Sequence, residues 1–133
     1  MSIRPEIQDL KILIIDAHPV YILRLESFLR GLAFCHITLA KNAPEGLERL
    51  AAENPDLVIM SGTLPQADAR ELCRQVRRQA AAQTKIIVQV GLSMEDDRLF
   101  FGQNGADFVL DRKEKDLVPL ETAVMAAFGL LPK

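Results

Sequence analysis

Cysteine is scarce. The 133 residues hold two, Cys35 and Cys73, with no CxxC spacing and no paired histidine. That leaves no zinc or redox motif and no disulfide framework, so both are expected to be semi-buried thiols of a reducing compartment. Long apolar runs are missing too. None approaches the roughly 18 residues a membrane span needs. The opening "MSIRPEIQDL" lacks the apolar segment of a secretion signal, and a cytoplasmic protein is expected. A dominant charge is absent: the formal net charge is −2, with both signs interspersed, which speaks against nucleic acid gripped on a basic face. No glycine-rich phosphate loop follows a strand, since Gly62 stands alone.

What is present suits one soluble domain with its own core: 49% of residues are apolar and 26% charged. Residues 1–9 read as a leader and 10–130 as the domain. "KILIIDA" is apolar and β-branched, a strand buried on both faces that ends near Asp16. From Pro19 the pattern turns helical, with Ile22, Leu25 and Leu29 on one face and Gly31 closing it. "HITLA" is a second strand. Asn42 is placed to cap the next helix, which turns Leu47 and Leu50 inward. "DLVIM" is a third strand, followed by a helix around 67–80 that buries Leu72 and Val76. Arg77 and Arg78 suit the dipole at its end. "KIIVQV" is a fourth strand, and Ser93 with Asp96 resembles a capping box for a helix over about 94–104. "DFVL" is a fifth strand, and a last helix runs from about 117 to 128.

Five alternations of strand and helix predict an α/β, doubly wound parallel sheet in the order 2-1-3-4-5, with two helices on one face and three on the other. Ligands of such sheets bind beyond the carboxyl ends of the strands. The residues there are Asp16-Ala17-His18, Ser61, Val90 and Asp111-Arg112-Lys113. One acid, one hydroxyl, one apolar residue and one guanidinium are expected to converge on a single pocket. Phe100 and Phe101 are consecutive in a helix and point about 100° apart, so both rings cannot face the sheet fully. One of them is expected to be exposed as part of a docking surface, with Leu99 and the other turned inward.

The motifs "KILIIDAHP", "PDLVIMSGTLP", "IIVQVG" and "GADFVLDRK", in that order, resemble the bacterial response-regulator receiver domain over residues 11 to about 128. The resemblance implies the flavodoxin-like receiver fold of two-component signalling. It also implies a pocket in which two acids after the first strand and an aspartate ending the third hold magnesium. That last aspartate accepts a phosphoryl group from a kinase, and a hydroxyl residue and a lysine hold its oxygens. By position these are Asp16, Ala17, Ser61, Val90 and Arg112, so one of the five is kept.

A lone carboxylate is thin support for magnesium, and a serine hydroxyl, unlike a carboxylate, needs a base before it can attack. The expectation is a degenerate pseudo-receiver. It is not an enzyme, takes no metal or cofactor, and acts by protein–protein contact with a homodimer mate, a histidine kinase or an output domain. The face of fourth helix, fifth strand and fifth helix is the partner surface the resemblance implies. "DAHP" resembles the opening of receivers that precede a helix-turn-helix output domain. Two alternatives stand beside this: a receiver regulated by an unusual modification or pocket ligand, and a small flavodoxin-like nucleotide binder or enzyme. With no proline after Arg112, the Arg112–Lys113 peptide is expected to be trans.

Overall fold

The computed structural model describes residues 7–64, 67–91, 95–112 and 116–130, and the side chains of all of these except 95–97. The strands are β1 (Lys11–Ile15), β2 (His36–Ala40), β3 (Leu57–Ser61), β4 (Lys85–Val90) and β5 (Phe108–Asp111). They form one sheet in the order β2-β1-β3-β4-β5, every neighbouring pair parallel, as the alternation predicts.

Side-chain alternation along the strands sorts the core into two halves. Ile12, Ile14, Leu57, Ile59 and Ile87 meet α1 (Pro19–Gly31) and α5 (Val118–Ala127) on one face. Leu13, Ile15, Val58, Met60, Ile86 and Val88 meet α2 (Ala43–Glu53), α3 (Ala69–Gln79) and α4 (Glu95–Gln103) on the other. The expected division of two helices and three is found. With both faces covered, the inner strands read as continuous apolar runs.

The helices start where short polar side chains satisfy their first amides. His18 Nδ1 accepts from the Tyr21 amide at 3.1 Å, Asn42 Oδ1 from Glu45 at 2.8 Å, and Asp68 Oδ1 from Arg70 at 2.9 Å. At the end of α3, Arg77 goes beyond a dipole role. Its guanidinium donates to the Thr84 and Ala81 carbonyls at 2.8 and 2.6 Å, closing the turn into β4.

Four further expectations meet the structure here. Ile7–Asp9, inside the stretch read as a leader, form a 3-10 turn, and Ile7 packs on the α1–α5 half of the core. Cys73 is fully buried and Cys35 exposed, so neither is semi-buried. No helix among the described residues is long and apolar enough to cross a membrane. Ser93 and Lys113 fall outside the described residues, and the capping box and the Arg112–Lys113 peptide with them.

Candidate functional site at the strand ends

Parity decides where each strand-end side chain goes. Asp16 continues the face of Ile12 and Ile14, Gln89 that of Ile87, and Arg112 that of Phe108 and Leu110, all on the α1–α5 side. Ala17 and Val90 turn to the opposite half of the core.

Asp16 is 3% exposed. Its Oδ1 accepts the His18 amide at 2.9 Å and lies 3.4 Å from Arg112 Nη2. The charges pair at that distance, but Nε and Nη2 of Arg112 are buried with no hydrogen-bond partner among the described residues. The guanidinium instead sits over the Tyr21 ring, with Cζ 4.0 Å from the centroid. A desolvated stack of this kind contributes about 1–2 kcal/mol. Tyr21 is itself 1% exposed, and its hydroxyl accepts from Gln89 Nε2 at 2.7 Å. The Arg112 amide donates to the Val90 carbonyl at 2.7 Å, which fixes where the side chain departs.

Asp16, Ala17 and Arg112 line one cleft of about 380 Å³, together with His18, Thr63 and Leu64. Ser61 and Val90 do not line it, so the expected single convergence is only partly found. Ser61 is 2% exposed. Its hydroxyl donates to the Thr63 carbonyl at 2.7 Å and accepts the Thr63 amide at 3.1 Å, a local turn that uses both its roles. Val90 is buried against Gly62, where a Cβ would sit 2.8 Å from its Cγ1.

The phenylalanine pair is also corrected. Phe101 is fully buried, and Phe100 is half-buried between Arg70 and Arg74 of α3, 4.8 and 5.0 Å from its centroid. Leu99, expected to face the sheet, is 59% exposed. Tyr21 and Gln89 escaped the reading of the sequence altogether. Gln89 carried a signal: a lone amide in "KIIVQV", at an inward position, must find a partner.

The family model for the response regulator receiver domain matches residues 12–124. The chain belongs to that family. This receiver is 30% identical over 97 residues to the alkaline phosphatase synthesis transcriptional regulatory protein PhoP of Bacillus subtilis, covering 73% of the chain and 40% of PhoP. It is 26% identical over 106 residues to the probable C4-dicarboxylate response regulator DctR of the same organism, covering 77% and 46%. The chain thus spans less than half the length of these relatives. A two-component response regulator from Clostridium difficile superimposes with a TM-score of 0.82 at 25% identity, covering 90% of this chain and 95% of that one.

The magnesium that the family implies does not fit the donors present. Asp16 already faces a guanidinium, Ala17 offers a methyl group, and the Ser61 hydroxyl is turned to its own backbone. Among the described residues, no three His, Cys, Asp or Glu side chains are grouped where they could share an ion. A hard cation that demands several oxygens finds one carboxylate.

Proposed function

We propose that this receiver has lost phosphotransfer and signals by protein–protein contact alone. The observation that carries the reading is Ser61, standing where the family places its phosphoacceptor. It is a hydroxyl, sealed from solvent and committed to Thr63. No general base is positioned on it among the contacts described, and Asp16 is held by Arg112. Val90 supplies a methyl where a phosphoryl oxygen needs a donor, and its Cγ1 is packed against Gly62.

The partner surface we assign is α4–β5–α5. Leu99 on α4 and Val118 on α5 are 59% and 62% exposed, while Arg98 ties α4 to β5 through Asp111 at 2.8 Å. Such a face suits a second copy, a kinase or an output domain. PhoP is a transcriptional regulatory protein, and the "DAHP" opening points the same way, toward control of transcription through a DNA-binding partner or linked domain. The family match favours signalling over a small flavodoxin-like enzyme or nucleotide binder.

Acetyl phosphate with magnesium, followed by intact mass, tests the loss of transfer. The expected mass is unchanged, in the native protein and in Ser61→Asp alone, which restores an anionic acceptor but not the second acid at Ala17. Acceptance is expected only when Ala17→Asp, Val90→Thr and Arg112→Lys are added. One phosphoryl mass gained by the unaltered protein overturns the reading.

A further inference from the structure

We infer that Arg112 is the resident cation of the strand-end pocket, and that Tyr21 and Gln89 are positioning residues that seat it there. The inference rests on the loss of phosphotransfer and goes beyond it: the guanidinium at the family's lysine position pairs with Asp16, the acid that would otherwise help to hold magnesium. Three observations converge. A carboxylate as buried as Asp16 needs a counter-charge, and among the described residues the Arg112 guanidinium lies within ion-pair range at 3.4 Å. The Arg112 side chain is itself 16% exposed, so it is a buried cation and not a surface pair. Its Nε and Nη2 lack hydrogen-bond partners among the described residues, so hydrogen bonds from these two nitrogens do not explain its position. The Tyr21 ring 4.0 Å away does.

The ring is in turn fixed. Tyr21 sits in the first turn of α1, whose start His18 caps, and its hydroxyl takes the Gln89 amide proton at 2.7 Å. Gln89 belongs to β4 and pairs with Leu110 of β5, two residues before Arg112. Asp16 just after β1, Tyr21 in α1, Gln89 in β4 and Arg112 just after β5 thus form one chain of contacts. Removing any one loosens the cation's seat without removing the others.

The test uses competition between the resident cation and magnesium, read by amide shifts of His18 and Tyr21 in NMR titrations with magnesium chloride. In an Ala17→Asp background, which supplies a second carboxylate, half-saturation is expected at least tenfold lower when Arg112→Ala is added. Tyr21→Leu in that background is expected to lower it as well, because the guanidinium is released from its seat. Tyr21→Phe, which keeps the ring but releases Gln89, is expected to lower half-saturation by less than Tyr21→Leu does. The unaltered protein supplies a readout that needs no variant to fold. The Arg112 side-chain resonances are expected upfield of random-coil values, shifted by the Tyr21 ring, with a slowly exchanging Nε proton. Random-coil shifts with a fast-exchanging proton, or equal half-saturation in the Tyr21→Leu and Tyr21→Phe variants, overturn the seat. Phosphoryl uptake in the mass assay overturns the underlying reading instead, so the two failures are distinguishable.

Discussion

Gly62 and Val90 show how one side chain at the strand ends dictates its neighbour. A Cβ on Gly62 would lie 2.8 Å from Val90 Cγ1 and 3.3 Å from the Gln89 carbonyl oxygen, to which the Gly62 amide already donates at 2.7 Å. The backbone there cannot retreat without breaking that bond. Gly62→Ala is therefore expected to destabilise the protein by about 1–3 kcal/mol, the usual range for overpacking a filled core. Adding Val90→Ala removes the nearer obstacle, and the double variant is expected to lose less than the sum of the two single changes. Urea unfolding of the four proteins measures the coupling. Strict additivity would show that Val90 is not what holds Gly62 in place.

At the scale of elements, α4 is the instructive helix. Leu99, Phe100 and Phe101 turn through about 100° each, so at most one of them can point squarely at the sheet. Phe101 does, joining Met60, Val88 and Val90 in one half of the core. Phe100 falls toward α3, where two arginines of that helix cover its ring, and Leu99 is left facing outward. Phe101→Ala is expected to cost about 3–5 kcal/mol, since a fully buried ring is removed. Leu99→Glu, at an exposed position, is expected to change stability by less than about 0.5 kcal/mol. If α4–β5–α5 is the partner face, the same change weakens self-association or partner capture measured by sedimentation velocity. Unaltered sedimentation of Leu99→Glu beside a self-associating parent would remove Leu99 from that face.

Across the whole molecule, the buried thiol of Cys73 links stability to alkaline pH. Burial pushes it up from 9.0 to about 11, with Arg77 opposing the rise and Asp107 adding to it. The unfolded chain gives up this proton near 9, while the folded protein keeps it until about 11. Below the lower value both states are protonated and the thiol's stabilisation is fully present. As pH rises between the two, the unfolded state alone ionises and stability falls. The loss attributable to Cys73 reaches no more than about 2–3 kcal/mol. Urea unfolding at a series of pH values from 8 upward is expected to show a steeper decline in the native protein than in Cys73→Ala. Parallel slopes would assign the decline to other groups. Exposed Cys35 is expected to react with a thiol reagent in the folded protein, and Cys73 only after unfolding.

The sequence by itself determined the fold. Apolar β-branched runs of strand length alternate with amphipathic stretches opened by His18, Asn42 and Asp68, and the rule of right-handed crossovers admits few other arrangements. It also determined which residues stand at the strand ends, because the last residue of a strand is a matter of one-dimensional order. Only the tertiary structure decided what those residues touch. Whether Val90 faces the cleft or the core depends on the parity of β4 in the sheet, and whether Phe100 or Leu99 is exposed depends on how α4 lies beside α3. The pairing of Tyr21 with Gln89 joins residues 68 places apart. Local propensity acts over a few residues. Contacts between elements arise only when the sheet brings them together, so the seat of Arg112 was legible as a charge at a position and not as a stack on a ring.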